Sequence, residues 1–416
     1  MMNIHYFLEQ SSNRPLDEVL ASCAELPAWR PFDHRAVDFV ARFSQRLLMH
    51  QDVRRYPEIA ALGHWFRAAR MRDLAQYYPI ETDDAVIVGR GLTFHLAPAN
   101  VDSVFMYSWL ISLLAGNANI VRVSQKISSQ LAFLVEVLNS TLQEDVGQAV
   151  QGRIVIMTYP HDEGITRSIS SQCMMRVVWG GDATVATIRS VPLRPTATEI
   201  CFPDRFSAAA IKAEALAMAD DDALKKLAAN FYNDAFWFGQ QACSSPRLVN
   251  WVGDSEQCAV AQARFWEAVR QEVKRRAPEN TPAMGMARLS AAFEYAAFSL
   301  AHPSIQEPFI QSPARLELET LVSSEAKALH CGNGLFLEQR LDAIEQLASQ
   351  LSDKEQTLAV HGFTRAEILL LVNALPARSL DRIVPMGEAL GFAPVWDGTD
   401  LFVAFSRRIS IPKNSL

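Results

Sequence analysis

The 416-residue chain has no CxxC pair, no tandem repeat and no low-complexity linker. Its six cysteines (Cys23, Cys173, Cys201, Cys243, Cys258 and Cys331) are scattered without metal-ligand spacing. They read as reduced thiols, with no disulfide framework and no metal site. No basic block interleaved with aromatics is present and the formal net charge is −7, which argues against nucleic acid as a partner. The longest apolar run, about Val104 to Ala115, carries Tyr107 and Ser108 and is too short to span a bilayer; it reads as a buried helix. The start, Met-Met-Asn-Ile-His-Tyr-Phe, lacks the basic end and apolar stretch of a secretory leader. The expectation is a cytoplasmic protein without a transmembrane segment.

What is present is globular. Hydrophobic residues make up 49% and charged residues 20%, and the length suits two domains with a small appendage. Residues Arg35 to Tyr78 show helical spacing. From Ala85 the pattern alternates: strands at Ala85–Gly89, Leu92–Leu96, Asn119–Val123, Arg153–Tyr159, Met175–Trp179 and Thr198–Phe202, with helices between. Such alternation predicts an α/β fold with a parallel sheet covered on both faces. The dinucleotide fingerprint GxGxxG is missing, because Gly89-Arg-Gly91 falls before a strand rather than at a strand-to-helix turn.

The second half predicts helices at Ala208–Met218, Asp222–Phe236, Glu256–Arg275, Leu341–Leu351 and Thr364–Ala374. A less regular stretch carries Pro303, Pro308 and Pro313, and strands are expected at Gln356–Val360 and Arg382–Val384. The expected division is residues 1–207, an N-terminal helical and nucleotide-binding domain; 208–385, a catalytic domain; and 386–416, a C-terminal strand segment. In that last segment Leu401–Phe405, with Ala85–Val88, suggests an oligomerisation arm.

The segment Gln240-Gln-Ala-Cys-Ser-Ser-Pro246 sets a thiol among small residues on a turn closed by proline. Read alone, Cys243 is either a packed loop cysteine or a nucleophile. Four segments in order resemble the aldehyde dehydrogenase superfamily: Ala97-Pro-Ala-Asn100, Ala115-Gly-Asn-Ala-Asn-Ile-Val-Arg-Val-Ser124, Trp179-Gly-Gly-Asp182 and the Cys243 heptapeptide. Within it they look most like the bioluminescence-type (LuxC-like) fatty acyl-CoA reductases, as do Arg382-Ile-Val-Pro-Met-Gly387 and Trp396-Asp-Gly398.

The resemblance implies a Rossmann-type cofactor domain, an α/β catalytic domain and an active site between them. It implies reduction of a fatty acyl thioester, from acyl-CoA or an acylated protein, to the aldehyde through an S-acyl-Cys243 intermediate. Asn100 is then an oxyanion donor; its alternative is a turn residue after Pro98. Arg122 stands near the adenosine ribose, where a guanidinium suits a 2′-phosphate and so favours NADPH over NADH, with Ser124 assisting. Its alternative is a solvated strand end. Gly180 and Gly181 would let the backbone approach the pyrophosphate, or make an ordinary strand-to-helix turn.

Glu199 is a poor candidate for a hydrolytic base. The family's Glu-Leu-Gly-Gly-Lys-type run is replaced by Glu199-Ile-Cys-Phe-Pro-Asp204, and counting back from Ser207 puts Phe202 at the glutamate's place. His361, between a strand and a helix, reads either as a proton donor or as a surface residue. Two alternatives stay open: an NAD-dependent aldehyde dehydrogenase running oxidatively, and a noncatalytic partner of an acyl carrier or acyl-activating enzyme. A homo-oligomer is expected.

Overall fold

The computed structural model describes residues 4–12, 14–98, 102–303, 311–318 and 320–411. The chain forms two compact units, Met1–Pro203 with Phe392–Leu416, and Asp204–Gly391. Asn100 lies outside the described residues.

The first unit carries β1 (His5–Tyr6), β2 (Glu81–Thr82), β3 (Ala85–Gly89), β4 (Leu92–Leu96), β5 (Ala118–Arg122), β6 (Ile154–Thr158), β7 (Met175–Trp179) and β8 (Thr198–Phe202). Its main sheet has the order β1-β6-β5-β4-β7-β8 and is parallel except for β1. Every residue of β4, β6 and β7 is buried, as strands covered by helices on both faces must be. The helix Asp102–Leu114 is apolar nearly all round, and Phe105 to Leu114 are all buried. From β4 the chain winds outward through β5 and β6, then reverses to β7 and β8 on the other side. That reversal falls between β4 and β7, and in open parallel sheets ligands bind outside the carboxyl ends of the strands at such a point.

The second unit holds β9 (Phe206–Lys212), β10 (Pro246–Val252), β11 (Ala301–Pro303), β12 (Ala314–Leu318), β13 (Leu335–Leu341), β14 (Glu355–His361) and β15 (Arg382–Pro385). Its sheet has the order β11-β12-β13-β10-β9-β14-β15, with only β11 antiparallel. The helix expected over Ala208–Met218 is instead this central strand β9, followed by a short helix, Ala213–Ala217. Phe-Ser-Ala-Ala-Ala-Ile is buried at six consecutive positions. A continuous small apolar run has no period that separates a buried strand from a helix, and the flanking strands decide it. The less regular stretch contains an unforeseen helix, Pro282–Ala297, with Pro282 at its first turn and Thr281 capping the Met284 amide. The Leu341–Leu351 helix proves to be the end of β13 and a 3₁₀ segment, Ile344–Gln350.

After Gly391 the chain returns to the first unit through β16 (Val395–Trp396), β17 (Thr399–Asp400) and β18 (Ser406–Ser410). The segment from Phe392 thus belongs to that unit rather than standing apart. Leu401–Phe405 was expected as a strand and is a helix. Asp400 caps the Val403 amide at 3.1 Å, and Leu401, Phe402 and Phe405 share one helical face that is buried in the core. The strand that meets β3 is the next one, β18, antiparallel over Ala85–Gly89, with β2 on the far side of β3.

Candidate active site

The helix Asp221–Phe236 leads into the Cys243 loop. Gly239 and Gln240 both take left-handed backbone (φ +56° and +66°) and turn the chain sharply. The Ser245 amide donates to the Ala242 carbonyl at 3.0 Å, so Cys243 and Ser244 occupy the two central positions of a tight turn. Cys243 is exposed, whereas Ser244, Ser245 and Gln240 are buried. No cysteine is in a disulfide.

The loop is fastened from several sides. The Gln240 carboxamide donates to the Pro246 carbonyl (2.9 Å) and the Leu335 carbonyl (2.8 Å) and accepts the Gly334 amide (2.9 Å). It therefore ties both ends of the loop to the start of β13. Ser207 in β9 donates to the Cys243 carbonyl at 2.6 Å, and Ser245 donates to the Asp234 carbonyl at 2.8 Å. The Asp234 carboxylate accepts the amides of Gly387 (2.6 Å) and Ala389 (2.9 Å). Burial pushes that carboxyl up to about 7, and the two amide donors pull the other way. The Arg382–Gly387 motif thus buttresses the helix that feeds the loop. On another side the Asn333 amide donates to Gly239 O (2.9 Å), and Gln241 Nε2 donates to Cys331 O (3.2 Å).

His361 sits apart from this loop. It ends β14 opposite Ile211, while the Cys243 loop enters β10 beside Ser207. Ser207 and Ile211 are roughly 13 Å apart along a strand, so His361 occupies the other edge of the sheet from Cys243.

In the first unit, Arg122 ends β5. Its guanidinium lies 5.0 Å from the Tyr159 ring centroid and donates to the Tyr159 carbonyl at 3.3 Å. Its Nε is buried and has no hydrogen-bond partner among the described residues. The Ser124 hydroxyl accepts the Lys126 amide at 3.2 Å and keeps its own proton to donate. Gly180 and Gly181 follow β7. Gly181 precedes the helix Asp182–Arg189, whose N-terminus has no side-chain cap and so offers amide donors. The Gly180 amide is committed to the Phe202 carbonyl (3.2 Å), and a Cβ there would press on the Thr184 side chain at 3.0 Å. These four residues come to the carboxyl edge of one sheet, on the two strands that flank β4.

Beneath this edge lies a buried polar chain. The Asn119 amide nitrogen donates to Asn117 O, so its oxygen accepts from His95 Nε2 at 3.0 Å. His95 Nδ1 then accepts the Ser108 hydroxyl at 2.9 Å, and Ser108 in turn accepts the Trp179 indole N–H at 3.3 Å. Burial holds the imidazole down to about 4, so it is neutral. This network fixes β4 to the end of β7, where Trp179 stacks on Phe202 at 3.9 Å.

A family model described as acyl-CoA reductase (LuxC) matches residues 67–408. The chain belongs to the LuxC acyl-CoA reductase family. Comparison with curated protein sequences gave no significant match. Among solved structures, an NAD-dependent aldehyde dehydrogenase from Sinorhizobium meliloti superposes with a TM-score of 0.68 at 11% identity, covering 96% of this chain and 87% of that one. A putative aldehyde dehydrogenase from Burkholderia cenocepacia gives 0.66 at 14%, covering 99% and 97%. The aldehyde dehydrogenase KauB from Pseudomonas aeruginosa gives 0.67 at 10%, covering 98% and 92%. The LuxC-family chain therefore has the aldehyde dehydrogenase fold.

In this LuxC-family protein Glu199 is occupied structurally. It accepts Arg176 Nε at 2.6 Å and Arg189 Nε at 3.2 Å, and Arg176 is itself buried. Sequence reasoning overlooked Ser207, Gln240 and Asp234 as supports of the thiol loop. Gln240 alone carried a signal, as a polar side chain beside a glycine at the end of an apolar helix. No helix among the described residues is long and apolar enough to cross a membrane.

Proposed function

We propose that this LuxC-family oxidoreductase reduces a fatty acyl thioester, from acyl-CoA or an acylated protein, to the aldehyde with NADPH. The observation that carries this reading is an exposed thiol at the apex of a turn whose neighbours are buried and hydrogen-bonded. Cys243 attacks the thioester carbonyl, forming the S-acyl bond and releasing the donor thiol, which takes the Cys243 proton. Asn100 and the loop amides are assigned to the oxyanion. The nicotinamide cofactor, when bound, supplies the hydride that, with one proton, turns the acyl-enzyme into aldehyde and free Cys243. Arg122 and Ser124 are assigned to the cofactor's 2′-phosphate, and the uncapped helix after Gly181 to its pyrophosphate.

Glu199, tied to two arginines, has no freedom to activate water, which favours reduction over oxidative hydrolysis. An acyl-activating enzyme is proposed as the supplying partner. The β2-β3-β18 sheet, whose edges are exposed, is proposed as the self-association face of a cytoplasmic homo-oligomer. Incubation with acyl-CoA and mass mapping tests the chemistry. The expected result is an acyl adduct on Cys243 and NADPH-dependent aldehyde release, both lost in Cys243→Ala. An adduct elsewhere, or unchanged turnover in that variant, rejects it.

A further inference from the structure

Asp234 is fully buried two residues before the end of the helix Asp221–Phe236, and it is engaged from two sides. On the thiol side its carbonyl accepts the Ser245 hydroxyl at 2.8 Å. On the other side its carboxylate accepts the Gly387 amide at 2.6 Å and the Ala389 amide at 2.9 Å. A buried carboxylate carries a desolvation cost that a neutral acceptor would avoid. Only a carboxylate of this length, however, offers both oxygens to two amides at once.

The segment it holds is the connector by which the chain leaves the second unit, which ends at Gly391. That connector is seated firmly. Arg382 donates to Glu388 O at 3.0 Å and to Ala389 O at 3.1 Å. The Glu388 amide closes onto Pro385 O and the Gly391 amide onto Glu388 O, both at 3.1 Å. Gly387 has φ +104°, and a Cβ there would fall 2.8 Å from Asn230 Cγ, one helical turn before Asp234. Met386 and Ala389 are buried in the same core cluster as Phe231 and Ala235 of the helix.

Immediately beyond, the first unit takes hold of the chain. The Phe392 ring stacks on Tyr107 at 5.0 Å, and the Tyr107 hydroxyl donates to Ala393 O. Tyr107 lies in the helix Asp102–Leu114. Ala389 and Phe392 are three residues apart, at most about 11 Å of extended chain, so the strap between the two grips has little slack.

We infer that Asp234 is a positioning residue that couples this connector to the thiol turn. The seated connector holds the helix end, the helix end holds Ser245, and Ser245 holds the turn that carries Cys243. A shift of the helix Asp102–Leu114 therefore has a route to the thiol through Phe392, the connector and Asp234. The inference rests on Cys243 being the nucleophile.

The test is a double-mutant cycle on the full chain. Asp234→Asn keeps one acceptor and sets an amide N–H against the second donor; Ser245→Ala cuts the tie on the thiol side. Alkylation of Cys243 by iodoacetamide is followed on its peptide by mass spectrometry. Rates are normalised to the folded fraction from circular dichroism, so a purely structural loss drops out. Each single variant is expected to slow alkylation about tenfold, and the double variant to be no slower than the slower single, because both cut one path. A slowing of about a hundredfold in the double variant, the product of two independent losses, overturns the inference. Wild-type or faster rates in folded Asp234→Asn overturn it too. Where Asp234→Asn does not fold, Gly387→Ala replaces it and unseats the connector from its own side.

Acylation by acyl-CoA is measured in parallel. The coupled variants should lose maximal rate at an unchanged half-saturating concentration; the converse split counts against positioning of the thiol. Coupling in alkylation with no acyl adduct on wild-type Cys243 rejects the reductase reading and keeps the coupling. An adduct with independent effects of the two variants does the reverse.

Discussion

The hydroxyl of Ser207 donates to the carbonyl of Cys243 at 2.6 Å and accepts the amide of Thr357 at 3.1 Å. One side chain from the central strand thus fixes the thiol-bearing turn and its own neighbouring strand together. Position 207 is where a strand built of small residues becomes a site. Ser207→Ala leaves a carbonyl and an amide without partners, at about 1–3 kcal/mol. We expect a lower melting temperature and a drop in turnover of about tenfold, measured by thermal denaturation and aldehyde production. Wild-type turnover in a folded Ser207→Ala would show that the carbonyl needs no anchor.

Gln240 satisfies three groups at once from inside the loop. Gln240→Ala strands two carbonyls and one amide in a buried place and leaves a non-glycine residue at positive φ. Urea unfolding should register a loss of about 2–4 kcal/mol. Gln240→Glu keeps the acceptor but supplies no donor to the two carbonyls, and it should be no better.

His95 predicts an acid limb. Its folded value near 4 lies below the ordinary 6.5, so between those values the unfolded chain binds a proton that the folded chain refuses. Stability is therefore full above about pH 6.5 and falls as pH drops toward 4, by about 1.4 kcal/mol per unit. Chemical denaturation across pH 4–7 measures it. In His95→Gln that part of the slope should vanish; an unchanged slope would place the proton uptake elsewhere.

Glu199→Gln removes the carboxylate from the buried Arg176, which retains Ser170 Oγ (3.1 Å) and Val191 O (2.9 Å). A stability loss of about 2–3 kcal/mol is expected, with the ratio of reduction to thioester hydrolysis unchanged. A hydrolysis rate that collapses in this variant would restore Glu199 as a base.

The alternation of strands and helices through Phe202 was legible because each strand is short, apolar and bounded by turn residues, as in Met175–Trp179 before Gly180. The second unit was harder. Phe206–Lys212 carries no period, since a central strand hides both faces, and its alanines mimic a helix. Leu401–Phe405 failed for the opposite reason: five apolar residues fit a strand until Asp400 is seen to cap them. The nucleophile motif was visible as a string. Its supports were not, because Ser207, Asp234 and Asn333 reach the loop from separate places in the chain, and Gly387 in turn holds Asp234.

The late return of the chain to its first unit bears on how the protein is made. Leu401, Phe402 and Phe405 belong to the core begun by Phe39 and Phe43, and β18 is the strand that covers β3. A ribosome must therefore finish all of Asp204–Gly391 before the first unit can close. During that interval, several seconds or more at ordinary elongation rates, the half-built unit displays raw apolar surface and an unpaired strand edge to the cell. Chaperone demand and nonsense mutations after Gly391 should accordingly strike the first unit, although the missing residues are written after the whole of the second.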